Sequence, residues 1–139
     1  MEKGLIRIIP DREKAKSIIK MVETTSELIK AIDLEKFPSH VTKEYYDIIR
    51  ELITAILLLD GYKTQGEGAH RKLIEYLSKN YKQFTGYELN LIEELRVMRN
   101  KIAYDGFFVT PDYIKRKKKS IEATILKLRN SVSKKLQEP

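Results

Sequence analysis

Apolar residues recur along this chain mainly at helical intervals. In residues 11–36, Ala15, Ile18, Ile19, Val22, Ile29 and Ile32 fall mostly on one face, the mark of an amphipathic helix. Asp11, after Pro10, is placed to cap its start. Phe37-Pro38 is placed to stop it, because a residue before proline is pushed out of the helical region. Ahead of this helix, Leu5-Ile6-Arg7-Ile8-Ile9 predicts an extended lead-in or an extra turn. A second helix is predicted from Ser39 or Thr42 to Asp60, with Gly61 in the usual terminating position. Its second half, Leu52-Ile53-Thr54-Ala55-Ile56-Leu57-Leu58-Leu59, is apolar nearly all round, so it is central or buries one side against a second subunit. Residues 61–68 read as a loop, followed by a third helix over 69–81. A fourth runs from Thr85, which makes a capping box with Glu88, to about Tyr104, and Gly106 marks its end. Phe107-Phe108-Val109 is an apolar link expected to fold back on the core. Thr110 then caps a fifth helix with Pro111 in its first position. Ile114, Ile121, Ile125, Leu128, Val132 and Leu136 keep a helical stripe along it.

The pattern contains no repeat and no linker. The expectation is one all-α domain over residues 1–139, an up-and-down antiparallel bundle of about five helices with its core at about 10–136. Composition agrees: 42% hydrophobic and 34% charged residues suit a globular chain rather than a disordered one. No apolar run approaches the ~20 residues of a membrane span. Met1-Glu2-Lys3-Gly4 does not resemble a secretion signal, so the cytoplasm is the expected location. Cysteine is absent, which excludes disulfides and thiolate chemistry. His40 and His70 are the only imidazoles, and neither a metal nor a cofactor is expected.

Charge changes the picture near the end of the chain. Residues 1–100 carry 17 Lys/Arg against 16 Asp/Glu, whereas residues 101–139 carry 10 against 4. Most of the net charge of +7 therefore lies in the last segment. Lys115-Arg116-Lys117-Lys118-Lys119 concentrates it near a helix N-terminus, where the helix dipole disfavours cations. Such a cluster attracts polyanions or serves as a solvated collar. Lys63, among the glycines at 61, 66 and 68, stands in a backbone-rich loop of the kind that can close on a phosphate. The loop lacks the Gly-Lys-Ser/Thr ending of a P-loop.

The fourth helix carries the sharpest chemical signal. On a helical wheel at about 100° per residue, Tyr87, Leu91, Leu95, Met98 and Ile102 form its apolar face. Arg99 falls on the shoulder of that face, and Asn100 lies close to Arg96. A partly buried guanidinium needs a carboxylate, carbonyls or a bound phosphate. Glu44, Asp47 and Glu51 on the second helix are the candidate internal partners.

The stretch Leu95-Arg96-Val97-Met98-Arg99-Asn100-Lys101-Ile102-Ala103-Tyr104 resembles the last motif helix of HEPN domains, in which arginine is followed by a short spacer and histidine. Tyr45-Tyr46, the aliphatic run ending at Gly61, and His70 at the start of a short helix fit the same resemblance. It implies a helical bundle that forms a homodimer, with two copies of the motif facing each other across a cleft. In active members that cleft is a metal-independent endoribonuclease; others are binding or regulatory modules, often encoded beside small nucleotidyltransferases. Here Tyr104 stands where the histidine would be, and an unperturbed tyrosine titrates near pH ~10 rather than near neutrality.

Three functions follow from the resemblance. The leading one is a dimeric module that binds RNA or a nucleotide, with weak or lost nuclease activity. Arg99 and Asn100 would contact phosphate or ribose, and Tyr104 would donate a hydrogen bond or stack. Lys115, Arg116, Lys117, Lys118 and Lys119 would supply long-range attraction. The second is an active toxin-type endoribonuclease with Tyr104 or His70 in the acid–base role. The third is a non-catalytic protein partner of a small nucleotidyltransferase.

Overall fold

Helix α2 (Pro38–Asp60) is the axis around which the other helices are built. Leu52, Ile53, Ile56 and Leu57 are fully buried along it, as an all-round apolar sequence requires. Four other helices of the same chain do the burying: α1 (Arg12–Ala31), α3 (Ala69–Asn80), α4 (Gly86–Asp105) and α5 (Pro111–Gln137). Truncating one such residue to alanine is expected to cost about 2–5 kcal/mol. The computed structural model describes residues 4–138, and within them the chain is an all-α bundle with one minimal sheet. Met1 to Lys3 and Pro139, counted in the expected domain and in the reading of the N-terminus, lie outside the described residues.

The helix ends follow their local chemistry. Asp11 Oδ1 accepts from Lys14 N at 3.0 Å and caps α1. Thr85 and Glu88 close a reciprocal capping box on α4, at 3.1 and 2.8 Å. Thr110 caps α5 with Pro111 behind it. Gly61 ends α2 at φ +88°, and a Cβ there would meet the carbonyl oxygen of Ile8 at 3.1 Å, so both backbone angle and space call for glycine.

Four expectations needed correction. The first helix stops at Ala31, not at residue 36, because Asp33 folds the next residues into a turn. Its side chain accepts from Glu35 N at 3.0 Å, offering the backbone an alternative to the helix. Phe37-Pro38 therefore begins α2 rather than ending α1, so α2 starts before Ser39. Residues 61–68 are not all loop: β2 (Tyr62–Thr64) pairs antiparallel with β1 (Leu5–Arg7), Ile6 opposite Lys63. The lead-in is thus extended, and its partner lay about sixty residues away, beyond any local signal. Finally, only Val109 of the apolar link packs inward, its N–H held by the buried Ser39 hydroxyl at 2.8 Å. Phe108 is 84% exposed and Phe107 43%.

Candidate functional site

Asp47, Arg50 and Glu51 are the charged residues that interrupt the apolar surface of α2 in the region facing α4. Arg50 and Asp47 lie one turn apart, with Arg50 Nη2 3.6 Å from Asp47 Oδ1 and Nη1 3.0 Å from Glu51 Oε1. Arg99, from α4, brings its Nε to 3.8 Å from the same Asp47 oxygen. Both approaches to Asp47 are beyond hydrogen-bonding distance. Accordingly Asp47 Oδ1, Arg50 Nε and Arg99 Nε are all buried without a hydrogen-bond partner among the described residues. One carboxylate gathers two guanidinium groups and satisfies neither.

A third guanidinium completes the cluster. Arg96 grips Glu93 in a two-point pair, at 3.0 and 2.5 Å, and its hydrogen bonds hold the Glu93 carboxyl below the usual range. Tyr46 lies beneath, only 2% exposed. Burial pushes its phenol up to about 12, against the opposing pull of Arg50, Arg96 and Arg99. Among the described residues its hydroxyl has no hydrogen-bond partner. The second residue of α3, His70, sets its ring 6.3 Å from that of Tyr46. Burial, then the charges of Arg50 and Arg99, lower the imidazole's affinity for a proton; Asp47 acts the other way. At neutral pH His70 is therefore largely uncharged and able to accept a proton.

Three helices thus converge. Helix α2 supplies Tyr46, Asp47 and Arg50, α3 supplies His70, and α4 supplies Arg96 and Arg99. The chemistry on offer is three guanidinium groups faced by three carboxylates, with two guanidinium Nε atoms lacking acceptors among the described residues, and beside them a phenolic donor and a neutral imidazole. That set suits an oxyanion such as a phosphodiester.

The other expected site residues are placed differently. Asn100 is half-buried next to Arg99 in sequence. Tyr104, 77% exposed at the end of α4, takes no part in the cluster's contacts. Lys63 is on the outer side of β2. Within the basic run, Lys115 pairs with Glu35, Arg116 with Asp112 at 3.1 Å and Lys117 with Glu94 at 3.9 Å. Lys118 and Lys119 form no ion pair among the described residues. Of the acids weighed against Arg99, Asp47 is the one that meets it; Glu51 serves Arg50, and Glu44 serves neither.

Tyr46, Arg50 and Arg96 were not singled out as site residues by sequence reasoning. A usable signal existed for Arg50: a cation at the edge of the apolar second half of α2, one turn from an acid. For Tyr46 there was none, since an aromatic at helical spacing reads as core. Comparison of the chain with family models, with characterised proteins and with solved structures finds no match in any of the three.

Proposed function

We propose that this chain is a HEPN-like module that binds RNA through the Arg50–Arg96–Arg99 cluster, acting as a homodimer. The observation that carries the reading is the unfilled hydrogen-bonding capacity around Asp47: the buried Nε groups of Arg50 and Arg99 have no acceptor among the described residues, and the Tyr46 hydroxyl beside them donates to none. Groups left in that state are costly unless a partner completes them. A phosphate oxygen is an acceptor of the right kind for all three. Lys118 and Lys119 would add long-range attraction, while Lys115, Arg116 and Lys117 are already matched by acids.

A second reading, a metal-independent endoribonuclease, is favoured by one feature: a neutral imidazole sits within the field of the guanidinium groups. In that reading His70 rather than Tyr104 would take the proton of the 2′-hydroxyl, and Arg99 would steady the phosphate's developing charge.

Fluorescence anisotropy with a labelled single-stranded RNA tests the first reading. Affinity should fall steeply with salt, and Arg99→Ala should weaken it by about tenfold or more, in line with loss of one charge-assisted contact. Binding that ignores both salt and Arg99 would overturn it. Incubating the same RNA with the protein in chelator tests the second: cleavage abolished by His70→Ala but not by Tyr104→Phe is its expected signature.

A further inference from the structure

We propose that the hollow between α1, α2 and α5 is a separate binding site, for a small organic anion with an apolar body. The hollow exists because α1 and α5 both pack on α2 and scarcely touch one another. It measures about 350 Å³, at the lower end of small-molecule sites. That volume suits a compact ligand; a helix about 10 Å across would lie over it rather than in it. Ile29, Ile48 and Ile125 line its apolar part.

Two observations say what the occupant carries. Tyr45 lines the hollow, is only 4% exposed, and its hydroxyl has no hydrogen-bond partner among the described residues. Tyr45, Lys118 and Glu122 line the same hollow, the last two forming its α5 rim. Around the hollow the charges are unequal: Lys30 from α1 and Lys118 and Arg129 from α5 stand against Glu122. Arg129 already reaches Glu23 at 3.3 Å and Lys30 reaches Glu27 at 3.4 Å. Lys118 has no such partner among the described residues, and it stands one turn from Glu122. An anionic head group at this rim would accept from both Lys118 and the Tyr45 hydroxyl. Its apolar body would lie along the three isoleucines, and Glu122, which is exposed, is free to turn to solvent. The site does not depend on the guanidinium cluster, which is formed by α2, α3 and α4.

Two fluorescent probes test this on the full chain. 8-Anilinonaphthalene-1-sulfonate carries the charge; N-phenyl-1-naphthylamine is the same skeleton without it. Saturable one-to-one binding of the sulfonate is expected, about tenfold tighter than the neutral probe, the size of one favourable ionic contact. Lys118→Glu, an exposed change that leaves the fold intact, should erase that preference and leave the neutral probe unaffected. Tyr45→Phe should weaken the sulfonate several-fold, and Ile29→Trp should exclude both probes with the helical circular dichroism unchanged. Equal affinity for the two probes, a preference that survives Lys118→Glu, or binding without saturation would each overturn the proposal.

Discussion

Two carboxylates on α2, thirteen residues apart, gather polar partners around them, with opposite results. Asp60 is closed. Its Oδ2 accepts from the hydroxyls of Tyr76 and Tyr81, each at 2.7 Å, and Lys135 approaches Oδ1 at 2.5 Å. Burial, reinforced by these bonds to Asp60, pushes both phenols well above their ordinary range. Asp47 is open. It stands 3.6 and 3.8 Å from two guanidinium groups and leaves its own oxygen and two nitrogens without partners. A completed polar cluster ties elements together, here α2, α3 and the end of α5. An incomplete one is where an outside ligand has something to gain.

The two carboxylates differ most in what they contribute to stability. Asp60→Ala leaves two largely buried phenols and a lysine without their acceptor. The expected loss is about 3 kcal/mol, as for removing one member of a buried charged network. Asp47→Asn, which keeps shape and removes charge from a carboxylate that makes no hydrogen bond among the described residues, should cost less than about 1 kcal/mol. Urea denaturation of the two variants measures both. Equal losses would mean that the Asp47 cluster is scaffold too.

The second effect belongs to the open site alone. Asp47 competes with any incoming anion for Arg50 and Arg99. Asp47→Asn should therefore tighten single-stranded RNA binding by about fivefold, roughly 1 kcal/mol. Weaker binding would show that Asp47 positions the arginines more than it opposes the ligand.

How far the sequence reached differs between these regions for a physical reason. The bundle, the capping box at Thr85 and Glu88 and the Pro111 start of α5 are local matters, written in spacing and in residue type within one turn. Arg99 was also legible: its place on the shoulder of an apolar face fixes it as partly buried, and its side chain is 22% exposed. Asp47 was among the acids that could meet it. What was not legible depended on contacts between distant segments. The strand pairing of Ile6 with Lys63 could not be read locally, nor could the convergence of Tyr46, His70 and Arg99 from three helices. Tyr104 illustrates the same limit. Its spacing from Arg99 matched a motif, yet on one helix five residues turn the side chain roughly 140° away, and it lies in solvent.

A smaller change isolates the open site's unused donor. Tyr46→Phe removes a hydroxyl that makes no hydrogen bond within the described residues, so stability should stay level or rise slightly. RNA affinity should fall a few-fold if that hydroxyl completes its bonding on a phosphate, as about 1 kcal/mol per neutral hydrogen bond implies. At the closed site, Tyr76→Phe should do the reverse, lowering stability and leaving RNA binding alone.

The subtlest test uses pH, because His70 belongs to the open cluster and the closed one contains no imidazole. Its folded proton affinity is lowered by burial and by Arg50 and Arg99, so between its folded pKa and about 6.5 the unfolded chain binds more protons than the folded one. Stability from this group is therefore fully present above pH ~6.5 and is lost as pH falls through the folded pKa. A bound phosphate reverses the balance by favouring the imidazolium beside it. RNA affinity should then rise over the same acid interval in which stability declines. His70→Gln should flatten both slopes, measured by urea denaturation and by anisotropy at pH 7, 6 and 5. Slopes of the same sign in wild type would place the RNA away from His70, and with it away from the guanidinium groups that surround it.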